Sequence, residues 1–395
     1  MTAPRPLDGI TVIALEHAIA APFATRQLAD LGARVIKVER PGTGDFARGY
    51  DDRVQGLASH FVWTNRSKES LTLDLKHADG RAVLQKLLDR ADVLVQNLAP
   101  GAAARMGLGH EALAPDHPRL IVCNISGYGT GGPDQDRKAY DLLIQSEAGF
   151  LSVTGSPDAP AKAGISVADI AAGMYAYSNI LAALIQRGQT GRGTNIDVSM
   201  LEAMAEWMGY PMYYAYDGAP PPARAAAAHA TICPYGPYRA GDGQDVMLGL
   251  QNDREWVAFC ATVLRQPQLS NDPRFDTNAR RAANAAALRT QIEGAFASLS
   301  AAEVIARLDA AGIANARMND MAGLWAHPQL RARDRWREVQ SAAGSFQALL
   351  PPGGLGDTEP RMDAVPSLGQ HTQAILSELG YAPDAIAALQ QAGAV

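Results

Sequence analysis

Short apolar runs alternate with amphipathic segments through the first two hundred residues of the chain. The apolar, β-branched run Gly9–Leu15 predicts a buried strand, and the segment RVIKVER (34–40) predicts the next one. Between them a helix is predicted to begin near Pro22 and to end at Gly32. Strand, helix and strand in about thirty residues are typical of a right-handed βαβ unit. The pattern therefore predicts a doubly wound, mostly parallel, Rossmann-like α/β sheet.

The same alternation continues along the chain and then breaks. Further strands are predicted in SLTLDLK, DVLVQNL, RLIVCNISGYG and TNIDVS, and an amphipathic helix is predicted in GRAVLQKLLDRA. The composition changes at 217–229, where prolines and alanines indicate a linker or an active-site loop. We therefore predict a large α/β domain from residues 1–216 and 335–395, and a smaller α+β domain from residues 217–334.

The amino-acid composition argues against several classes of protein function. The 395 residues are 47% hydrophobic and 19% charged, which is ordinary for a soluble globular protein. A net charge of −6 argues against a nucleic-acid-binding surface, and no Lys/Arg run indicates a membrane surface. No signal peptide or membrane span is predicted, so a cytoplasmic location is expected. Three widely spaced cysteines indicate neither a disulfide framework nor a zinc site.

Two glycine-containing motifs are only weak indications of function. GYGTGG at 127–132 matches a dinucleotide-binding pattern, but Pro133 occupies the expected helix start and the supporting acidic residue is missing. The sequence CNISGYG resembles a nucleophile elbow, yet Asn124 stands where its first glycine belongs. The histidines form no metal-binding pattern, so no metal is expected.

Four basic residues follow predicted parallel strands. Each alone is most often a solvated surface charge, but the carboxyl ends of parallel strands meet at one edge of a sheet. The residues are Arg40, Lys76, Arg105 and Lys138. Together they would suit a ligand that carries several phosphates.

A single carboxylate, Asp169, lies in the otherwise uncharged stretch 163–185. Small and apolar residues surround it, with Gly164 and Gly173 on either side. It is either a helix N-terminal residue stabilised by backbone N–H groups and the helix dipole, or a carboxylate held ready to react. Composition alone leaves both interpretations open.

The chain resembles the class III coenzyme A transferases, and most of all their dicarboxylate-using members. The blocks that carry this resemblance, in order, are LDGITVIALEHAIAAP, LGARVIKVERPGTGD, NRSKESLTLDLK, DVLVQNLAPGAAARMGL, SGYG, AYDLLIQSEAG, GISVADIAAG, HATICPYGPY, HPQLRAR and LGQHTQAILSELGY. The resemblance implies a CoA-binding large domain and an interlocked homodimer. It also implies that CoA thioesters are substrates, with no permanently bound cofactor.

The resemblance further implies that Asp169 is the nucleophile. Its carboxylate would form a mixed anhydride with the donor acyl group and then an aspartyl-CoA thioester. The implied CoA contacts are Ala18, Ala20, Arg40, Leu73, Lys76, Asn97, Leu98, Arg105, Met106, Lys138 and Tyr140. The basic members would face the nucleotide phosphates.

Two departures from the family pattern bear on the reaction. Racemases on the same fold use a histidine where this chain has Tyr140, a poor general base at neutral pH, so transfer is favoured over racemisation. Several transferases shield the intermediate with a glycine loop, where this chain has Ala225–Ala228 and His229.

The expected reaction moves CoA from succinyl-CoA to a C4–C5 dicarboxylate such as malate, citramalate, mesaconate or itaconate. Candidates for binding the second carboxylate are Arg48, Arg66, Arg224 and His229. The alternatives are an α-methylacyl-CoA racemase and a formyl- or oxalyl-type monocarboxylate CoA-transferase. A CoA-binding protein that has lost catalysis is also an alternative, although the presence of Asp169 argues against it.

Overall fold

A six-stranded parallel sheet organises the larger part of the molecule, as described by a computed structural model for residues 3–395. The sheet has the order β3-β2-β1-β4-β5-β6. The order reverses between β1 and β4, as in dinucleotide-binding folds, where the crevice outside the carboxyl ends of the strands is the usual ligand site. The strands are β1 Thr11–Leu15, β2 Arg34–Glu39, β3 Lys68–Thr72, β4 Val93–Gln96, β5 Ile121–Ser126 and β6 Asn195–Ser199.

The predicted helices near Pro22 and in GRAVLQKLLDRA are present as α1 and α3 among the helices of the structure. Their bounds, in chain order, are α1 Ala20–Asp30, α2 Ser59–Asn65, α3 Ala78–Leu88, α4 Ala102–Arg105, α5 His110–Leu113, α6 Asp141–Glu147, α7 Phe150–Val153, α8 Val167–Thr190, α9 Met200–Trp207, α10 Gly209–Tyr214, α11 Asp253–Ala258, α12 Asn278–Ala283, α13 Ala285–Phe296, α14 Ala301–Ala310, α15 Met321–Trp325, α16 Pro328–Ala332, α17 Thr372–Glu378 and α18 Pro383–Gln391. Helix α1 begins two residues before Pro22, which is tolerated because the first helical turn needs no N–H donor there.

The central strands are buried because helices cover both faces of the sheet. Ile13 of β1 pairs with Ile36 of β2 and Leu94 of β4, and all three side chains lie in one core. Helices α3, α17 and α18 contribute apolar residues to this core, while α1 and α8 pack against each other, with α8 also contacting β5 and β6. The predicted α/β architecture with a parallel sheet is confirmed.

Helix α8 runs back from the carboxyl edge of the sheet to its amino edge. Its last residue is followed by Gly191 in the left-handed conformation (φ +72°) and then by β6, which is parallel to β5. Its first turn, with Asp169, therefore lies at the edge where the strands end. Within residues 3–395, α8 is the one helix long and apolar enough to cross a membrane, judged by length and composition alone.

A second, smaller unit contains an antiparallel sheet of β7 Tyr235–Arg239, β8 Asp245–Gly249 and β9 Ala314–Arg317. The predicted turn at 241–243 joins β7 to β8, with Gly243 at φ +82°. Helices α11–α14 build a core with this sheet around Trp256, Phe259 and Phe296. A separate hairpin of β10 Trp336–Ser341 and β11 Gly344–Leu349 belongs to the larger unit.

Contacts divide the chain into two units. The larger comprises the residues up to Ala148, then Ala163–Gly209 and Leu330–Val395. The smaller comprises Gly149–Lys162 and Tyr210–Gln329. The short excursion 149–162, which the apolar pattern did not separate from the large domain, thus groups with the second unit.

Candidate active site

Most of the predicted site residues lie at the carboxyl edge of the parallel sheet. The loops after β1, β2, β3, β4 and β5 carry, in turn, Ala18 and Ala20, Arg40, Leu73 and Lys76, Asn97 to Met106, and Lys138 with Tyr140. The first turn of α8 with Asp169 shares this edge. The loops and the first turn of α8 thus bring to one edge residues as far apart in sequence as Ala18 and Asp169, as expected for a doubly wound sheet.

The four basic residues of this edge are open to a ligand. Arg40, Lys76, Arg105 and Lys138 are all exposed, and none of them forms an ion pair with a carboxylate of the described chain. Arg34, by contrast, is held by both Glu69 and Glu378 within 2.9 Å. Unpaired cations at strand ends leave a positive rim that suits phosphate groups.

The apolar members of the predicted CoA contacts lie deeper. Leu73 is buried in the core, and Leu98 and Met106 pack against the same core. Ala20 is also buried. The Asn97 side chain holds the loop after β1, since its Oδ1 accepts the His17 N–H (2.9 Å) and its Nδ2 donates to the His17 carbonyl (2.9 Å).

The loop after β1 is strained and tightly held. Ala18 has φ +60°, a conformation that costs a non-glycine residue on the order of 1 kcal/mol or more. Its N–H donates to Asp45 Oδ1 at 3.1 Å, and Asn97 fixes the preceding residue from the other side. Backbone strain that neighbouring side chains maintain is a frequent property of functional loops.

A carboxylate from another helix caps α8. Asp141, the first residue of α6, accepts the N–H of Ala168 at 2.8 Å through Oδ1 and that of Asp169 at 3.4 Å. Its Oδ2 accepts from Gln145 Nε2 at 2.7 Å. Ser166, the N-cap residue by position, makes no side-chain cap. Asp141 therefore satisfies the first-turn donors that Asp169 would otherwise take.

Asp169 is left without a structural partner. Within residues 3–395, its carboxylate accepts no hydrogen bond. Burial and the negative charge of Asp141 raise the pKa of Asp169 to about 7. Of the two interpretations that the sequence left open, helix capping by the Asp169 side chain does not occur here. A basic, unpaired carboxylate at the carboxyl edge of a parallel sheet is the kind of group that acts as a nucleophile.

The two glycines near Asp169 have different surroundings. A Cβ added at Gly173 would lie 2.7 Å from the Ala20 carbonyl oxygen and 3.1 Å from the Phe23 ring. A Cβ at Gly164 would meet no atom within 4 Å. Gly173 is therefore required by the close packing of α1 on α8, whereas Gly164 borders open space.

The glycine-rich loop after β2 carries two aromatic rings that are not among the predicted site residues. Phe46 and Tyr50 lie in PGTGDFARGY, and both are about half exposed. Their ring centroids are 5.8 Å apart, and Phe46 stacks on His17 at 5.2 Å. Burial raises the pKa of Tyr50, and the negative charges of Asp45 and Asp169 raise it further. The glycine-rich loop was the available signal for these residues.

A buried charge network supports the loops after β1 and β2. Lys37 Nζ donates to Asp45 Oδ2 at 2.8 Å, and Lys68 Nζ donates to Glu16 Oε1 at 2.7 Å. Arg48 donates through Nε and Nη2 to the two oxygens of Glu39 at 2.8 Å each. Burial alone would raise the pKa of Asp45, but Lys37 and further hydrogen bonds hold it well below its usual range. Asp45 therefore remains ionised.

The four residues predicted to bind a second substrate carboxylate differ from one another in their surroundings. Arg48 is bound by Glu39 and lies over the Phe61 ring (3.8 Å), and Arg66 makes a bidentate pair with buried Asp30. In the smaller unit, Arg224 donates to the carbonyls of Ser156 and Pro157. His229 is exposed and stacked on Tyr235, and its Nδ1 accepts two backbone N–H groups. Both larger-unit arginines are thus already committed to internal carboxylates.

No group of three or more His, Cys, Asp or Glu side chains within residues 3–395 is arranged to hold a metal ion.

Comparisons with known proteins show which family this chain resembles in sequence and fold. The family model described as CoA-transferase family III matches residues 7–372. An acetyl-CoA:oxalate CoA-transferase of Acetobacter aceti is 36% identical over 83% of this chain and 85% of that protein. A succinate–glutarate CoA-transferase of Agrobacterium fabrum is 34% identical over 95% of this chain and 96% of its own length. The crystal structure of a CAIB/BAIF family protein from Brucella suis superimposes with a TM-score of 0.84 at 34% identity, covering 95% of this chain and 100% of that one.

Proposed function

Because the chain belongs to CoA-transferase family III and is a CoA-transferase, we propose that it moves CoA from succinyl-CoA to a dicarboxylic acid of four or five carbons through Asp169. The observation that carries the proposal is that one edge of the sheet holds both a basic carboxylate without a hydrogen-bond partner and four cations without ion pairs. The carboxylate supplies the nucleophile and the cations match a phosphate-bearing substrate.

The proposed reaction has four balanced steps. A carboxylate oxygen of Asp169 attacks the thioester carbonyl carbon, the C–S bond breaks, and CoA leaves as a thiolate. The thiolate attacks the aspartyl carbonyl of the resulting anhydride, which gives an aspartyl-CoA thioester and frees the donor acid. The acceptor carboxylate attacks this thioester and again releases the thiolate. The thiolate then attacks the acceptor carbonyl, which forms the new acyl-CoA and regenerates Asp169.

The environment of Asp169 fits this chemistry. A carboxylate with a pKa of about 7 is more basic, and so more nucleophilic, than an ordinary aspartate, while a substantial fraction stays ionised at neutral pH. The neighbouring Asp141 maintains this basicity by its charge and by occupying the helix N–H groups. No proton or electron is gained or lost over the cycle.

The proposed CoA site follows the carboxyl edge. Arg40, Lys76, Arg105 and Lys138 would face the phosphates, because each is exposed and free of ion pairs within the described chain. The loop residues Ala18, Ala20, Leu73, Asn97, Leu98 and Met106 would border the remainder of CoA, with Tyr140 beside the acyl end. The exposed phenol of Tyr140 directly precedes Asp141 in the chain.

The acid substrate is proposed from the relatives together with the sequence. The two CoA-transferases described above are named for oxalate and for succinate and glutarate, all of which are dicarboxylates. The oxalate enzyme also favours retaining the formyl- or oxalyl-type alternative as a second candidate. A racemase activity is disfavoured because Tyr140 stands where a basic histidine would be needed.

We also propose the interlocked homodimer that the family resemblance implies, acting in the cytoplasm. Support comes from an apolar groove of about 640 Å³ in the larger unit, which Tyr177, Leu181, Leu184 and Ile185 of α8 line. Ile185 is 67% exposed, and an apolar surface of this kind is typical of a covered interface. Light scattering of the purified protein should give twice the 41.8 kDa chain mass. A fully active monomer would contradict the proposal.

The decisive experiment detects both the product and the intermediate. The purified protein is incubated with succinyl-CoA and, separately, with oxalate, glutarate, citramalate, itaconate or butyrate, and new CoA esters are identified by mass. With succinyl-CoA alone, the peptide containing Asp169 should gain the mass of CoA less one water, as expected for a thioester. Asp169→Ala should abolish both signals and still bind CoA. Transfer that persists in this variant would exclude the aspartyl route.

The alternatives have their own signatures in the same assay. Transfer to oxalate with none to longer acids would favour the oxalyl-type function. Deuterium that enters the α-position of 2-methylacyl-CoA from heavy water, without any acceptor acid, would favour the racemase.

A further inference from the structure

We propose that His17 binds the distal, non-reacting carboxylate of the acid substrate. This inference deepens the proposed function and rests on it. Its neighbour Ala18 is among the CoA contacts that the family resemblance implies, whereas the residues predicted for the distal carboxylate were three arginines and His229. The position, partners and surroundings of the imidazole support the assignment.

The position of His17 is set by the end of the central strand. It follows β1 by two residues, and its backbone N–H and carbonyl are both bonded to the Asn97 side chain. The next residue, Ala18, is fixed in a left-handed conformation by Asp45. The imidazole is therefore carried on a rigid loop, which is what a specificity contact requires.

The imidazole lies beside the carboxylate of Asp45. Its Nδ1 is buried 3.8 Å from Asp45 Oδ1 and has no hydrogen-bond partner within residues 3–395. The side chain is 20% exposed, and Nε2 forms no hydrogen bond with the described chain. With Asp45 on the Nδ1 side, Nε2 is the ring nitrogen left to donate an N–H to a substrate carboxylate.

The charged groups behind the β1 loop bind one another. The buried network contains Glu16, Glu39 and Asp45 against Lys37, Lys68 and Arg48. Burial lowers the pKa of Lys68 to about 7, so this network has no surplus of positive charge. Its cations are therefore not available to a substrate carboxylate, which leaves the imidazole of His17 as the donor at this loop.

Aromatic contacts and the packing of α1 on α8 connect the surroundings of His17 with those of Asp169. Phe46 stacks on His17, Tyr50 packs on Phe46, and the charge of Asp169 acts on the Tyr50 phenol. From the other direction, the Ala20 carbonyl contacts α8 at Gly173, one turn beyond Asp169. A dicarboxylate that reacts at Asp169 would thus extend along an aromatic wall of Phe46 and Tyr50 toward His17.

Other cations of this region are less available. The guanidiniums of Arg48 and Arg66 are held by Glu39 and Asp30 through two hydrogen bonds each. Lys37 and Lys68 are completely buried and bound to carboxylates. Recruiting any of them would leave a buried carboxylate uncompensated, which is strongly unfavourable.

The test compares two acids of equal length. For glutarate and valerate, kcat and KM are measured in the wild type, His17→Ala and His17→Gln. Loss of one charge-assisted hydrogen bond should lower the glutarate-to-valerate ratio of kcat/KM about tenfold or more in His17→Ala, mainly through the KM for glutarate. His17→Gln restores a neutral donor and should recover only part of the ratio.

His60→Gln is the matched control. His60 packs edge-on against Tyr50, and its Nδ1 lies 3.8 Å from Asp51, but it is farther from the β1 loop and more exposed. This variant should leave the ratio unchanged. A ratio that is unchanged in His17→Ala, or that falls in His60→Gln instead, would overturn the assignment.

A binding measurement removes the dependence on turnover. Calorimetry of glutarate binding to Asp169→Asn saturated with CoA should show an about tenfold weaker Kd when His17→Ala is added. Equal binding would overturn the proposal. The aspartyl-CoA adduct, formed from succinyl-CoA and detected by mass in the wild type and in His17→Ala, separates the two proposals. If the wild type forms no adduct, the proposed function is refuted. If both proteins form the adduct and the glutarate-to-valerate ratio is unchanged in His17→Ala, only the role of His17 is refuted.

Discussion

The Asp141 carboxylate takes the backbone N–H groups of Ala168 and Asp169 at 2.8 and 3.4 Å, so Asp169 sits at a helix N-terminus without capping it. The stabilisation that a first-turn carboxylate ordinarily receives from free N–H groups goes to Asp141 instead. Burial and the repulsion between the two carboxylates then leave Asp169 basic. One acidic residue thus supports the helix and keeps its neighbour reactive.

The substitution Asp141→Asn should acidify Asp169. The amide oxygen can still accept the Ala168 N–H, but the like charge is gone, so the pKa of Asp169 should fall below about 7. Formation of the aspartyl-CoA adduct needs ionised Asp169 and should rise with pH through this pKa. The midpoint of the rate–pH profile, followed by quenched mass spectrometry, should therefore move to lower pH. At pH 8 the variant should also react more slowly, since its nucleophile is less basic. An unmoved midpoint would show that Asp141 does not influence the titrating group.

Ionisation of Asp169 should also cost stability. Its pKa is raised from 3.8 to about 7 in the folded chain, so the folded state binds the additional proton between these values. The free energy of unfolding should accordingly contain a favourable contribution below pH 4 that is lost as the pH rises to 7. Asp169→Asn, which is neutral at all pH values, should stabilise the protein at pH 8 by on the order of 2 kcal/mol, less than the full shift implies because the side chain is partly exposed. Urea unfolding at pH 8 and pH 4 measures this difference, and an equal effect at both values would contradict it.

The positive rim should affect CoA affinity more than turnover. Removing one exposed cation that faces a phosphate costs about 1 kcal/mol, so Arg40→Ala, Lys76→Ala, Arg105→Ala or Lys138→Ala should each weaken CoA binding several-fold. The loss should diminish at high salt because screening already weakens the contact. Arg192 is the control, since it is exposed and lies just before β6 at the opposite edge of the sheet. Calorimetric Kd values at two salt concentrations test this, and an equal loss in Arg192→Ala would exclude a local rim.

How far the sequence predicted this molecule depends on the distance between interacting residues. Strands buried on both faces carry continuous apolar runs, so the parallel sheet and the edge with Arg40 and Lys138 were predictable. Pairs of residues that meet only after folding were not predictable. Arg66 binds Asp30, which is 36 residues away, and an isolated arginine carries no signal that it is already occupied.

The same limit explains the missed parts of the site. Asp141 caps a helix that begins 26 residues later, and His17 meets Asp45 only because β1 and β2 are neighbours. The glycine-rich loop 41–50 follows a predicted strand, but nothing in its pattern showed that Phe46 would stack on His17. Local patterns identify the elements, whereas nonlocal charge pairing decides which polar residues remain available.

Packing between α1 and α8 should set the position of Asp169, and Gly173→Ala tests this. The new Cβ would lie 2.7 Å from the Ala20 carbonyl, a backbone atom that cannot rotate away, so the helices must separate. Overpacking of this kind costs about 1–3 kcal/mol, and the shift should reach Asp169 one turn earlier and lower kcat. Gly188→Ala in the same helix meets no atom within 4 Å and should raise stability by about 0.5–1 kcal/mol through helix propensity. Thermal unfolding and kcat of the two variants provide the comparison. If Gly173→Ala proved as stable and active as Gly188→Ala, the close approach of the two helices would have no part in positioning Asp169.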